Sequence, residues 1–203
     1  MKDSYLTVHS VSEGLYTEKR SRFLSFAHHV ENEAEVREIV SSYRRRFYDA
    51  RHVCYAYILG VEGVGEGERY RMNDDGEPSS TAGKPIHGQL VRNALTDTLI
   101  VVVRYYGGVN LGTSGLIVAY REAAMAALSA AEIVERIIEE RIDHSFTYPS
   151  MNSVMRVVKD LGARIVAQDF GCTCTITLSI RRSEAERLRE RLQRISFGEG
   201  GGG

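Results

Sequence analysis

Apolar residues follow strand-like and helix-like spacings in turn along this chain, which predicts a mixture of β-strands and α-helices. Residues 21–30 and 52–60 are rich in aromatic and aliphatic side chains and are predicted strands. Between them, Asn32 can cap a helix whose apolar side chains recur at helical spacing, and Glu35 completes a capping box. Residues 99–106 form the most apolar strand, which we expect at the centre of a sheet.

Helices are predicted on both sides of that apolar strand. Pro85 suits the first turn of a helix that runs to about Thr98. A glycine-rich turn follows the strand and leads into a second helix, from Leu116 to about Glu135, in which alanine is frequent.

The pattern changes near residue 137, where a strand, a helix, two strands and a helix follow one another. Residues 170–180 alternate strictly between apolar and polar or small side chains, which is typical of a half-buried strand. This order matches a ferredoxin-like unit without its last strand, and the glycine-rich C-terminus is poorly suited to supply that strand. We therefore expect an α+β protein with two domains, residues 1–135 and 137–203.

Composition and charge narrow the classes of function. The 203 residues are 43% hydrophobic and carry a formal net charge of −1, so this is a globular protein rather than a general polyanion binder. The N-terminus lacks the apolar stretch of a signal peptide, and the longest strongly apolar run, residues 99–103, is far short of a membrane span. We expect a soluble, cytoplasmic protein that makes no membrane contact.

Three cysteines are too few to hold together a fold of this size. Cys172 and Cys174 lie two residues apart on the alternating strand, so they face the same side and are poor disulfide partners. We expect both to be buried, reduced and free of metal, and Cys54 to be reduced as well.

An acidic, glycine-containing segment precedes Pro85 and has two possible explanations. Asp74, Asp75 and Glu77 could hold a hard cation, although residues of this kind are also common in turns, and the turn is favoured. The following residues superficially resemble a phosphate-binding loop. However, Gly76 and Gly83 are too far apart for that motif, and Pro85 replaces its magnesium-binding hydroxyl. Nucleotide triphosphatase activity is therefore excluded.

A second glycine-rich segment, residues 104–115, follows the most apolar strand. Glycines let a ligand approach the backbone closely, and the free amides at a helix start attract anions. A tight turn between strand and helix is the competing explanation, and the sequence leaves both open. The glycines concerned are Gly107, Gly108, Gly112 and Gly115.

These two segments together carry a family resemblance. RMNDDGEPSSTAGKPI and VVVRYYGGVNLGTSGLIVAY resemble the paired signatures of the IMPACT family, and SRFLSF and HVCYAY also match its pattern. The first signature falls on Asp74, Asp75, Gly76, Glu77, Pro78, Thr81, Ala82, Gly83 and Pro85. The second falls on Arg104, Tyr105, Tyr106, Gly107, Gly108, Leu111, Gly112 and Gly115.

The sequence departs from the family pattern at several positions. Ser80 stands where glycine is usual, and His87 replaces an aliphatic residue. Asn110 takes the place of a frequent lysine, which weakens the case that the glycine loop grips phosphate by charge. Thr113 and Ser114 replace an alanine and a glycine.

The resemblance implies a fold and a set of partners. It implies an N-terminal domain like domain 2 of ribosomal protein S5, and a ferredoxin-like C-terminal domain like the last domain of elongation factor G. This pairing suggests binding to the ribosome or to structured RNA, and eukaryotic relatives regulate translation initiation through protein partners. The resemblance implies no enzymatic activity and no cofactor.

We therefore expect a non-catalytic, translation-associated protein that binds the ribosome, RNA or a translation factor. Lys84, Arg104 and the loop from Gly107 to Gly115 would contact an anionic backbone in one exposed groove where the two signature segments converge. The alternative is a hydrolase or phosphate-binding enzyme that uses the acidic turn beside the glycine loop. A regulator that binds only proteins is a third possibility.

Overall fold

The computed structural model describes residues 3–61, 67–171 and 173–198. This described chain divides into two compact units. One unit is Tyr5–Arg136, and the other joins the residues before Tyr5 to the chain from Ile137 onwards. The side chain of Asp3 accepts a hydrogen bond from the Ser183 amide at 2.9 Å, an association that the sequence did not predict.

The first unit is built on a five-stranded antiparallel sheet in the order β2–β3–β6–β4–β5. Strand β6 is central and almost wholly buried, which confirms the prediction from its apolar sequence. A separate two-stranded sheet pairs β1 with β7. The strands are β1 Ser4–Val8, β2 Ser12–Glu18, β3 Ser21–His29, β4 His52–Leu59, β5 Arg69–Asn73, β6 Thr98–Tyr105 and β7 Ile133–Ile137. The helices are α1 Glu33–Arg46, α2 Gly83–Arg92 and α3 Gly112–Ser129.

Alternation along β6 divides the interior into two layers. Ile100 and Val102 pack on one face of the sheet with side chains of α2 and α3. Val101 and Val103 pack on the other face with side chains of α1. Because both faces of the sheet are covered, β6 is held in place, and so is the position of its last residues, Arg104 and Tyr105.

Both helices beside β6 differ from their predicted bounds. Helix α2 ends at Arg92 instead of Thr98, because the chain turns there and takes positive φ at Ala94 and Asp97. Helix α3 begins at Gly112, four residues before the predicted start, and ends at Ser129 because the chain goes on to form β7. Strand β5 was not predicted, since its polar side chains are mostly exposed at the sheet edge.

The second unit confirms the predicted order of strand, helix, two strands and helix. Its described sheet has the antiparallel order β8–β10–β9, with one apolar core that includes Cys174. The elements are β8 Glu139–Phe146, α4 Met151–Asp160, β9 Arg164–Phe170, β10 Cys174–Arg181 and α5 Arg182–Gly198, with a short 3₁₀ turn at Tyr148–Ser150. Cys172 and residues 199–203 lie outside the described residues, so the predictions made for them stay predictions.

No described helix has the length and apolar character needed to cross a membrane.

Candidate functional site: a cleft between the two glycine-rich segments

The two signature segments meet at one cleft of about 520 Å³ in the first unit. The acidic segment contributes a corner at residues 76–78, and the second segment contributes the end of β6 and the start of α3. The residues at the start of β4 complete the wall. The lining residues are Arg51, His52, Gly76, Glu77, Pro78, Arg104, Tyr106, Asn110, Leu111, Gly112, Thr113 and Leu116.

Arg104 lies in this cleft, but it is not the exposed cation that the sequence suggested. Its residue is only 5% exposed, and its Nη1 donates to Glu77 Oε1 at 2.5 Å. Glu77 is buried as well, so the pair is a desolvated ion pair and not a surface contact. The expectation that Arg104 lies in an exposed position is therefore wrong.

A tyrosine, a cysteine and a histidine surround this ion pair. The Tyr120 hydroxyl donates to Glu77 Oε1 at 2.8 Å, and the Cys54 thiol donates to the Asp74 carbonyl oxygen at 3.0 Å. Burial raises the pKa of both Tyr120 and Cys54, so both remain protonated donors at neutral pH. Glu77 Oε1 consequently accepts from both an arginine and a tyrosine, so this buried oxygen has two hydrogen-bond donors.

His52 is held in one orientation beside Glu77. Its Nδ1 lies 2.7 Å from the Asp75 carbonyl oxygen, which can only accept, so Nδ1 carries the hydrogen. Its Nε2 lies 3.7 Å from Glu77 Oε2, beyond hydrogen-bonding distance. The Arg51 amide donates to the Arg104 carbonyl at 2.9 Å, which places the two arginines at the same end of the sheet.

Asp74 caps helix α2 with its carboxylate. It accepts hydrogen bonds from the amides of Ser80, Ala82 and Gly83 at 2.8–3.0 Å. These amides are therefore not available to a ligand, because the protein's own carboxylate occupies them.

Asp75 is also committed within the protein. Its Oδ1 accepts from Arg44 at 2.8 Å, and its Oδ2 accepts from the Val53 amide at 2.7 Å. Among the described residues, no group of three or more histidine, cysteine or acidic side chains is arranged to hold a metal ion. Through these two carboxylates the acidic segment contacts α1, β4 and α2.

Helix α3 begins differently. Its N-cap residue, Leu111, makes no side-chain capping hydrogen bond within the described chain, and Gly112 and Thr113 of its first turn line the cleft. The first amides of a helix have no intrahelical acceptor, and they place partial positive charge at this end of the cleft.

Packing explains part of the glycine content of the second segment. A Cβ at Gly107 would lie 2.2 Å from the Arg20 carbonyl carbon, so this position requires glycine for close approach to the turn between β2 and β3. Gly108 and Gly112 have φ near +83° and +71°, a region that side chains disfavour. A virtual Cβ at Gly115 has only the Leu111 Cβ nearby, at 3.1 Å.

Several predicted site residues lie outside the cleft lining. Lys84 is exposed in the first turn of α2, and the structure does not bring it to Arg104. Thr81 is buried, with its hydroxyl bonded to the Pro78 carbonyl at 2.6 Å. Gly83 packs against β5, where a Cβ would lie 2.7 Å from the Asn73 amide, and Pro85 lies in the first turn of α2 as predicted.

Comparison with known proteins identifies the class to which this fold and cleft belong. The profile described as the Impact N-terminal domain matches residues 19–128, which contain every lining residue of the cleft. The chain belongs to the IMPACT family, as its sequence resemblance predicted.

Relatives extend the match beyond that domain. IMPACT family member YvyE of Bacillus subtilis is 34% identical over 160 residues, which cover 79% of this chain and 72% of the relative. IMPACT family member YigZ of Escherichia coli is 28% identical over 180 residues, covering 89% of this chain and 87% of the relative. The crystal structure of a hypothetical protein, 26% identical, aligns with 98% of this chain and 95% of its own, with a TM-score of 0.74.

Proposed function

We propose that this IMPACT family protein is a translation-associated regulator that binds RNA on the ribosome and performs no catalysis. Family membership supports this proposal, because the family resemblance implies such partners. The sheet order β8–β10–β9 also supports it, since a ferredoxin-like unit without its fourth strand has this order. On this proposal, residues 1–135 form the domain like that of ribosomal protein S5 and residues 137–203 the ferredoxin-like domain of a cytoplasmic protein.

The observation that carries the proposal is the charge of the cleft. Two arginines, Arg51 and Arg104, line it against one carboxylate, Glu77, and the start of α3 adds its partial positive charge. Glu77 is already bonded to Arg104 and Tyr120, so the cleft favours an anion. Phosphate groups are the anions that RNA presents in quantity.

The alternative function, a hydrolase or phosphate-binding enzyme that uses the acidic turn, has less support. Such a mechanism needs a carboxylate that is available to a cation or to a substrate proton. Asp74 is bonded to three amides, and Asp75 is bonded to Arg44 and the Val53 amide.

Arg51→Ala tests the proposal, because Arg51 is exposed and makes little contribution to the core. Co-sedimentation with purified ribosomes should show about tenfold weaker binding for this variant, with a salt dependence reduced by about one phosphate contact. Arg92→Ala is the matched control, since Arg92 is an exposed arginine outside the cleft lining and should bind like the unmodified protein. Equal ribosome binding by both variants would show that the cleft is not the binding surface.

A further inference from the structure

A buried arginine and the start of α3 meet in the cleft. We propose, building on the RNA-binding function above, that it binds a terminal phosphate, with Arg104 and the start of α3 contacting the phosphate and Tyr106 stacking on the terminal base. The preference for a terminal over an internal phosphate depends on the burial of Arg104, which the net charge of the chain does not predict.

The burial of Arg104 favours a phosphate group that protrudes from the end of an RNA strand. Among the described residues, the guanidinium makes one hydrogen bond, from Nη1 to Glu77, and its buried Nε has no partner. An arginine has five N–H donors, so most of its donor capacity is unused by the protein. A side chain that is 6% exposed is out of reach of a phosphodiester inside a duplex, whereas a terminal phosphate can enter the cleft.

The start of α3 supplies a second, independent set of donors at the same cleft. Gly112 and Thr113 line it, and the Thr113 side chain adds a hydroxyl beside the first amides of the helix. A terminal phosphomonoester has about two negative charges and three oxygens at neutral pH, so it can accept from the guanidinium and from the helix together. An internal phosphodiester has one charge and two such oxygens.

Tyr106 offers a surface for the adjoining base. Its residue is 46% exposed, and the Arg104 guanidinium carbon lies 5.7 Å from its ring centroid. Its hydroxyl donates to Asn110 Oδ1 at 3.2 Å, which orients the ring at the edge of the cleft. Bases stack on exposed aromatic rings with little sequence preference. Such stacking suits a site that binds strand ends whatever their terminal base. The volume of about 520 Å³ is in the range of small-molecule sites and accommodates one nucleotide.

The experiment uses the full chain and fluorescein-labelled RNA decamers that differ only at one end: 5′-phosphate, 3′-phosphate or hydroxyl at both ends. Fluorescence anisotropy should show at least about tenfold tighter binding of one phosphorylated decamer, and the two phosphorylated arms identify which end is read. Tyr106→Leu should weaken binding of that decamer about tenfold. Tyr48→Leu removes a tyrosine that is 86% exposed elsewhere in the unit, and it should have no effect.

Two failures of this experiment have different meanings. If all three decamers bind equally and Arg51→Ala still weakens binding, the terminal-phosphate inference is overturned while the RNA-binding function stands. If no decamer binds and ribosomes do not bind either, both are overturned.

Discussion

Helices α2 and α3 both begin after a glycine-rich segment, and both segments line the same cleft, yet their first turns are satisfied in different ways. The Asp74 carboxylate accepts hydrogen bonds from three amides at and just before the start of α2, those of Ser80, Ala82 and Gly83. At the start of α3, Leu111 stands at the N-cap and provides no side-chain acceptor in the described structure. The protein's own carboxylate therefore caps one helix start, whereas no described side chain caps the other. Glycine content alone does not separate the two cases.

The largest effect is expected where the two segments are joined. Arg104→Ala should lower the free energy of unfolding by about 3–5 kcal/mol, because Glu77 would remain buried without its ionic partner. Urea denaturation followed by circular dichroism measures this change.

The control for this prediction is an ion pair on the surface of α3. Arg121 lies 3.2 Å from Glu122, and Arg121→Ala should cost less than about 1 kcal/mol because solvent screens the pair. If Arg104→Ala were as mild as Arg121→Ala, the buried pair would not join the two segments energetically, and Arg104 would behave as the surface cation that the sequence suggested.

The second effect concerns the capped start of α2. Asp74→Ala should lower the free energy of unfolding by about 2 kcal/mol, because three amides lose a charged acceptor. Asp74→Asn keeps one acceptor oxygen and should cost less. Denaturant unfolding of both variants tests the order, and a fully stable Asp74→Ala protein would contradict the capping role and remove the contrast with α3.

The sequence predicted the elements better than their contacts. Strands β3, β4 and β6 follow apolar runs, and the capping pair Asn32 and Glu35 marks the start of α1, where the Glu35 amide donates to Asn32 Oδ1. These features are local, so residue order reveals them. The end of α2 was misplaced because a turn with positive φ at non-glycine residues has no clear signal in one sequence.

The site was predicted in part. The family signatures pointed to both segments that line the cleft. The buried cluster around Arg104, however, is made by bonds between residues far apart in sequence: Glu77 is 27 positions from Arg104, and Tyr120 is 43 positions from Glu77. Tyr120 belongs to the buried stripe of an alanine-rich helix and gave no sign of its polar role. Arg51 and His52 reach the cleft through the pairing of β4 with β6, which residue order alone does not reveal.

The smallest effect on stability is expected at the open start of α3, and it has the opposite sign. Thr113→Glu places a carboxylate in the exposed first turn, where the helix dipole should raise the free energy of unfolding by about 0.5 kcal/mol. The same carboxylate would occupy the amides proposed to bind phosphate, so binding of phosphorylated RNA should fall at least about tenfold. Thr113→Gln, which has similar size and no charge, should change both the free energy of unfolding and the binding of phosphorylated RNA less than Thr113→Glu does.

Thermal unfolding measures the stability of the two variants, and fluorescence anisotropy measures their RNA binding. A Thr113→Glu protein that gains stability and still binds phosphorylated RNA would show that the start of α3, although open, is not where the anion sits.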